Sequence, residues 1–255
     1  MMSGMERAIS TTQIDRLGDR LRATATISAV DLGLLQAFRA EHEQALVEVQ
    51  ERIDRALPGI DQTARIKTIQ TLHDKLRRQP TKLSRIQDIA GVRIVQDMDL
   101  NEQDRVVEGL RREFLGAKVT DRRVTPSFGY RAVHVIVRIG RCNCEIQIRT
   151  RQQHLWAEVV ERLADRWGRQ VRYGGGPEDP LRPAASLTRA EFWNQVLSMS
   201  DTVHILEELA ADQNFGVDAG EAPDGMGRID LDGARKDLRA VLAALASFLD
   251  RGAEL

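Results

Sequence analysis

The strongest constraint on the fold is the two-residue alternation of Glu145-Ile-Gln-Ile-Arg-Thr150. Period-two patterning marks a half-buried strand, with Ile146 and Ile148 on one face and Glu145, Gln147 and Arg149 on the other. A carboxylate, an amide and a guanidinium in a row follow the run Gly129-Tyr-Arg-Ala-Val-His134. Together they can hold a cation, orient a hydroxyl and neutralise phosphate oxygens.

Around this strand the chain divides into helical and extended stretches. After a polar start, an apolar stripe (Leu34, Leu35, Phe38, Leu46, Val47, Val49, Ile53) predicts a packing helix over residues 31–57, ended by Pro58-Gly59. Residues 64–78 read as a second helix, on which Lys67, Thr71 and Lys75 recur every fourth position with Arg65 at the turn edge. A phosphate chain could lie along that face, though taken alone the stretch reads first as an exposed basic helix in front of Pro80. A β-branched run over residues 86–95 carries Asp88, Gly91 and Arg93. An amphipathic helix over 101–114, opened by Asn101 as cap, precedes strands at 118–120, 132–139 and 144–150; Gly140-Arg141 signals a hairpin between the last two.

Residues 151–169 return to helix, with Trp156, Val160, Leu163 and Trp167 as the buried stripe and His154 paired with Glu158. Gly174-Gly175-Gly176-Pro177 and the Pro-rich 178–183 form a loop that lacks the Lys and Ser/Thr of a phosphate loop. Helices over 187–212 and 231–249 flank a Gly- and acid-rich linker at 214–228, and they either cap the core or pair between subunits. The order α-α-β-α-β-β-β-α-α-α is α+β. It divides at residues 1–58, 59–172 and 173–255 into a helical segment, a central core and a helical extension.

Bulk properties bound the function. With 255 residues, the chain holds one sizeable domain with an extension. Lys+Arg 37 against Asp+Glu 38 excludes a general polycation, so any nucleic-acid contact needs a local patch such as Arg122-Arg123 or Arg149 to Arg151; Arg77-Arg78 and Arg111-Arg112 read as solvated helix faces. Cys142 and Cys144, the chain's only two cysteines, lack zinc-ligand spacing and read as small buried groups of a reducing compartment. No signal or membrane-length apolar run is present, so the expected location is the cytoplasm.

The ordered set Arg65-Ile-Lys67, Lys75, Asp88 with Gly91 and Arg93, Gly129-Tyr-Arg-Ala-Val-His134, Glu145-Ile-Gln-Ile-Arg-Thr150 and His154-Leu-Trp-Ala-Glu158 resembles the synthetase domain of the RelA/SpoT alarmone synthetases, over roughly residues 60–170. The resemblance implies a nucleotidyltransferase-like mixed β-sheet flanked by helices, with a helical C-terminal extension. It also implies an enzyme that moves the β,γ-pyrophosphate of ATP onto the 3′-hydroxyl of GDP or GTP, with Mg²⁺ as cofactor.

Carried over by position, Asp88 would bind Mg²⁺, and Glu145 would share the metal or act as base on the acceptor hydroxyl. Arg65 and Arg93 would sandwich the adenine. Lys67 and Lys75 would grip the ATP phosphates, with Thr71 where the family has a Ser. Tyr130 would stack on the acceptor base, while His134, Gln147, Arg149 and His154 would contact the acceptor nucleotide. Such chemistry asks the protein mainly for positioning and charge neutralisation, which these residue types supply.

The acceptor loop departs from the family, reading Asp121-Arg-Arg-Val-Thr-Pro-Ser-Phe-Gly-Tyr130 without the usual Lys. That leaves open a toxin-type relative acting on the 3′ end of tRNA or making adenosine alarmones, and, from another class, a silent nucleotide-binding regulator. The hydrolase domain of the long members has no room here. His73-Asp74 reads as a solvated helix turn. The expectation is a small, synthesis-only member, with homo-oligomerisation through the C-terminal helices as an option.

Overall fold

The computed structural model of the chain describes residues 9–176, 188–216 and 230–251. Seven helices among these residues are α1 (Thr11–Ala23), α2 (Ala29–Ala56), α3 (Ile69–Arg78), α4 (Leu100–Glu113), α5 (Arg151–Trp167), α6 (Arg189–Gly216) and α7 (Leu231–Asp250). Five strands, β1 (Gln62–Ile66), β2 (Ala90–Gln96), β3 (Lys118–Asp121), β4 (Val133–Ile139) and β5 (Cys142–Thr150), pair in the order β1-β2-β5-β4-β3. This is α+β, as the order of elements predicts, with the mixed sheet flanked by helices that the resemblance implies. No described helix is long and apolar enough to cross a membrane.

The described residues form two compact units. One comprises the chain up to Ile94 with Gly109–Lys118 and Val135–Gln147; the other comprises Val95–Glu108, Val119–His134 and the stretches from Ile148 onward. The divisions fall inside β2, α4, β3, β4 and β5.

In the first unit, Ile14, Leu17 and Leu21 of α1, Leu35 and Phe38 of α2, and Leu72 and Leu76 of α3 share one core. The polar-looking start therefore hides a helix. Ser10 caps α1 in a reciprocal box with Gln13, and Ile14, Leu17, Gly18 and Leu21 make its buried stripe. His73 is part of this core and no solvated turn: it is 2 % exposed, and its Nε2 lies 2.9 Å from the carbonyls of both Leu21 and Thr24, meeting carbonyls that the end of α1 leaves open.

The helix expected over 64–78 starts later. Thr68 is its cap, accepting from Thr71 N, and residues 62–66 are the strand β1, antiparallel to β2 with Arg65 opposite Gly91 and Thr63 opposite Arg93. Arg65 and Lys67 therefore lie ahead of the helix, and the four-residue spacing from Lys67 is not a helical face. Similarly, the extended run expected from Ile86 forms a strand only from Ala90 and follows a 3₁₀ turn at Leu83–Arg85. The hairpin between β4 and β5 turns on Gly140-Arg141 as expected, with Gly140 at φ 55. Cys142 and Cys144 are both buried on the aliphatic side of β5. Burial pushes the Cys144 thiol up to about 12.

In the second unit, α5 is the centre of the core. Trp156, Val160, Leu163 and Trp167 are buried against Trp193, Val196 and Val203 of α6 and Leu242, Ala246 and Leu249 of α7. The apolar face of α7 is thus covered within its own unit. Asp99, not Asn101, caps α4, accepting from Glu102 N at 2.7 Å while Glu102 accepts from Asp99 N at 2.9 Å. The loop 178–183 and most of the linker 214–228 lie outside the described residues.

Candidate active site

The first unit gathers a cluster of opposite charges. Lys67 follows β1 and is tied to the segment before β2 by its N–H donating to Ile89 O at 2.9 Å; Lys75 sits one turn from the end of α3. Both lysines converge on Asp88. Lys75 Nζ reaches the two carboxylate oxygens at 2.8 and 2.9 Å, and Lys67 Nζ reaches Oδ2 at 3.3 Å. Burial alone would raise the Asp88 carboxyl, but the Lys75 hydrogen bonds and the Lys67 charge outweigh it and hold it below the ordinary carboxylate value. Asp88 is therefore an anion at neutral pH, gripped by the two lysines expected on ATP phosphates. Thr71 is taken up locally, its hydroxyl 2.8 Å from that of Thr68.

The sheet supplies a second arrangement in this unit. Directly opposed residues of an antiparallel pair point to one face, so Arg65 and Arg93, at diagonal positions, share the face of Gly91. Gly91 keeps the position opposite Arg65 clear of side chain, its missing Cβ lying 3.6 Å from Glu145 O.

On β5, burial alternates as the sequence predicts, with Cys144, Ile146 and Ile148 covered and Glu145 and Gln147 half-exposed. Gln147 Nε2 donates to Glu145 Oε2 at 2.8 Å, which fixes the carboxylate's orientation.

The second unit gathers Tyr130, His134 and Arg149. Tyr130 follows a two-residue turn in which Phe128 and Gly129 have φ of 52 and 79, the paired positive values of a type I′ hairpin, closed by reciprocal bonds between Ser127 and Tyr130. Its hydroxyl lies 2.9 Å from His134 Nε2 and accepts from Arg149 Nη2 at 2.9 Å. The His134 ring meets Tyr130 edge-on at 5.6 Å. Arg149 is almost fully buried and so acts on Tyr130 directly. His154, in the first turn of α5, pairs with Glu158 at 3.6 Å as the spacing predicts.

The loop arginines are not equivalent. Arg123 is committed to Asp121 and to Asp104, the latter at 2.7 Å, and burial notwithstanding, these carboxylates raise its affinity for the proton. It is thus occupied by protein carboxylates.

Several polar residues had no role in the sequence reading. Glu207 of α6 is 1 % exposed and accepts from the Thr150 hydroxyl and from Gln153 Nε2, the two halves of the capping box that opens α5. Burial pushes its carboxyl up, against these two donors. Gln103 joins the same group, donating to Ile148 O and Gln153 Oε1, both at 3.0 Å. Arg131 and Ser200 are likewise buried and joined. In sequence each of these is one polar residue in an ordinary helix or loop, and only the tertiary contact reveals it.

No described cluster of three or more His, Cys, Asp or Glu residues could form a complete protein cage for a metal. The hard carboxylates available, Asp88 and Glu145, instead suit an ion such as Mg²⁺ that takes one or two protein oxygens and completes its shell with water and substrate phosphate.

Residues 64–165 match a family model described as a region found in RelA / SpoT proteins. The uncharacterized protein Rv1366 of Mycobacterium tuberculosis is 40% identical over 199 residues, 75% of this chain and 71% of the relative. The probable chloroplastic GTP diphosphokinase RSH2 of Arabidopsis thaliana is 33% identical over 128 residues, 46% of this chain and 18% of that protein. Among solved structures, small alarmone synthetase 1 from Bacillus subtilis aligns with a TM-score of 0.53 at 22% identity, over 74% of this chain and all of the other; its pppGpp-bound form aligns at 0.51 and 21%, over 73% of this chain and again all of the other.

Proposed function

This chain belongs to the RelA/SpoT family, and on that premise we propose that it is an ATP:GTP/GDP 3′-pyrophosphotransferase that makes guanosine alarmones. The observation that carries the reading is the Asp88 carboxylate held by Lys67 and Lys75. A carboxylate suited to a cation and two lysines suited to phosphate lie together here, which supports the reading. RelA/SpoT-type synthetases depend on a divalent metal. Bound by Asp88 and Glu145, it would neutralise charge on the phosphate oxygens as the pyrophosphoryl group leaves ATP.

The remaining work falls to the chain itself. Arg65 and Arg93 clasp the adenine between planar cations, and Lys67 and Lys75 hold the phosphates. In the second unit, Tyr130, fixed by Arg149 and His134, is the residue suited to stack on a base; in the first, Gln147 orients Glu145, the residue suited to take a hydroxyl proton. His154 lies with the acceptor groups as a contact to the nucleotide.

The reading is tested by giving the purified protein γ-labelled ATP and Mg²⁺ with GDP, GTP, AMP, ADP or deacylated tRNA in separate reactions. Label on GDP or GTP supports it. Label on tRNA or adenosine nucleotides alone would assign the protein to the toxin-type branch, and nucleotide binding with no transfer anywhere would make it a regulator.

A further inference from the structure

We infer that Ser200, on a helix beyond the residues that match the family model, is a positioning residue that sets where Tyr130 stands. The inference rests on the reading of Tyr130 as the residue that stacks on the acceptor base. The ring of Tyr130 is held at its polar end by Arg149 and His134, but its backbone belongs to a turn that is strained, since Phe128 adopts a left-handed φ of 52 that non-glycine residues avoid. Such a turn persists only if its surroundings impose it.

Ser200 does so from both sides of Tyr130. Its hydroxyl donates to the carbonyl of Gly129, and the same oxygen accepts from Arg131 Nε at 3.1 Å. The Ser200 carbonyl accepts from that Nε as well, at 3.3 Å. The residues before and after Tyr130 are thus joined through one hydroxyl that is 2 % exposed. Arg131, 5 % exposed, spends its other nitrogens on the Arg123 carbonyl and on Asp201 at 2.6 Å, so one guanidinium ties the loop, the turn and α6 together.

One turn earlier on α6, the Val196 carbonyl accepts from Trp156 Nε1 at 2.7 Å, and the Trp156 ring fills the place of a Gly129 side chain. The helix is therefore registered at Val196 and Ser200 against the residues that carry the turn. A serine is what this position needs, because the hydroxyl donates to Gly129 and accepts from Arg131 at once.

The chain contains two tyrosines, Tyr130 and Tyr173, so incorporation of 3-fluorotyrosine gives two fluorine resonances that Tyr173→Phe tells apart. In Ser200→Ala, with circular dichroism and melting checked for a folded state, the Tyr130 resonance should shift or broaden. The KM for the acceptor should rise roughly tenfold, the effect of one lost hydrogen bond, with the KM for ATP unchanged. An unmoved Tyr130 resonance in the folded variant overturns the inference whatever the activity. A shifted resonance in a protein whose wild type transfers to no acceptor leaves the positioning role standing and overturns the proposed reaction instead. Should Ser200→Ala fail to fold, Asp201→Asn, at a side chain 69% exposed, releases Arg131 from the outside; it should move the same resonance by less, and no movement there overturns the inference too.

Discussion

The Arg149 guanidinium stands over the Tyr130 ring, 4.9 Å from its centroid, and donates to the Tyr130 hydroxyl at 2.9 Å. Arginine can only donate, so the phenol accepts there and has its own proton to offer His134. Ring plane and hydroxyl are both fixed by this one guanidinium, which would lower the ordering cost of the stacking proposed for Tyr130. The same two residues lie in the second unit, while the carboxylate and lysine cluster lies in the first.

Lys75→Met should separate two effects of the Asp88 cluster. Asp88 keeps Lys67 at 3.3 Å but loses both bonds to Lys75, so burial pushes its carboxyl upward from its depressed value. In the wild type, the stability due to this lowered carboxyl is present above its ordinary value of 3.8 and is lost as pH falls through the lower folded value. The variant should therefore begin acid unfolding at higher pH. Its KM for ATP should rise roughly tenfold or more, as the loss of one charge-assisted contact to phosphate implies. An unchanged acid midpoint would remove Lys75 as the residue that holds Asp88 ionised.

Gly129→Ala and Gly116→Ala make a matched pair. Both glycines have nearly the same positive φ, 79 and 81. At Gly129 a Cβ would stand 2.7 Å from Trp156 and 3.1 Å from Leu197; at Gly116 it meets nothing within 4 Å. Gly116→Ala should cost about 1–2 kcal/mol, the backbone penalty alone. Gly129→Ala should cost about 2–4 kcal/mol, since overpacking is added. Equal losses in denaturant melts would show that Trp156 does not press on the turn.

Glu207→Gln probes the buried carboxyl behind α5. A carboxyl raised by burial contributes its stability in full below the ordinary value of 4.5 and loses it as pH rises through the raised folded value. The uncharged amide has no such loss. Melting temperature of the variant relative to the wild type should therefore climb as pH is raised from 4.5, and a difference independent of pH would mean that Glu207 does not titrate in the folded state.

How much of this was readable in advance follows from the range of the interactions. The β5 alternation, the Gly140-Arg141 hairpin, the α5 stripe and the His154–Glu158 pair depend on residues a few positions apart, and their periodicity is visible in the sequence. The strand β1 was not legible because Thr63, Ala64 and Arg65 are exposed, so no alternation marks them, and the helical pattern of α3 was extended backward over them past its Thr68 cap. In α1, Ser10 and Gln13 signal a start, but the charged residues between Ile14, Leu17 and Leu21 masked the stripe. His73, Ser200 and Glu207 are explained only by partners 49 to 71 residues away, which no local pattern contains.

The most direct measurement is transfer of label from γ-labelled ATP to GDP and GTP by the wild type and by Glu145→Gln side by side. Glu145 is half-exposed on β5 and accepts from Gln147, so the isosteric amide should leave melting nearly unchanged. The wild type should place label on the guanosine nucleotide, and the variant should do so about 10²–10⁴ times more slowly, the range expected when a general base is removed. Transfer at the wild-type rate by the folded variant, or no transfer to a guanosine nucleotide by the wild type, would contradict the assignment.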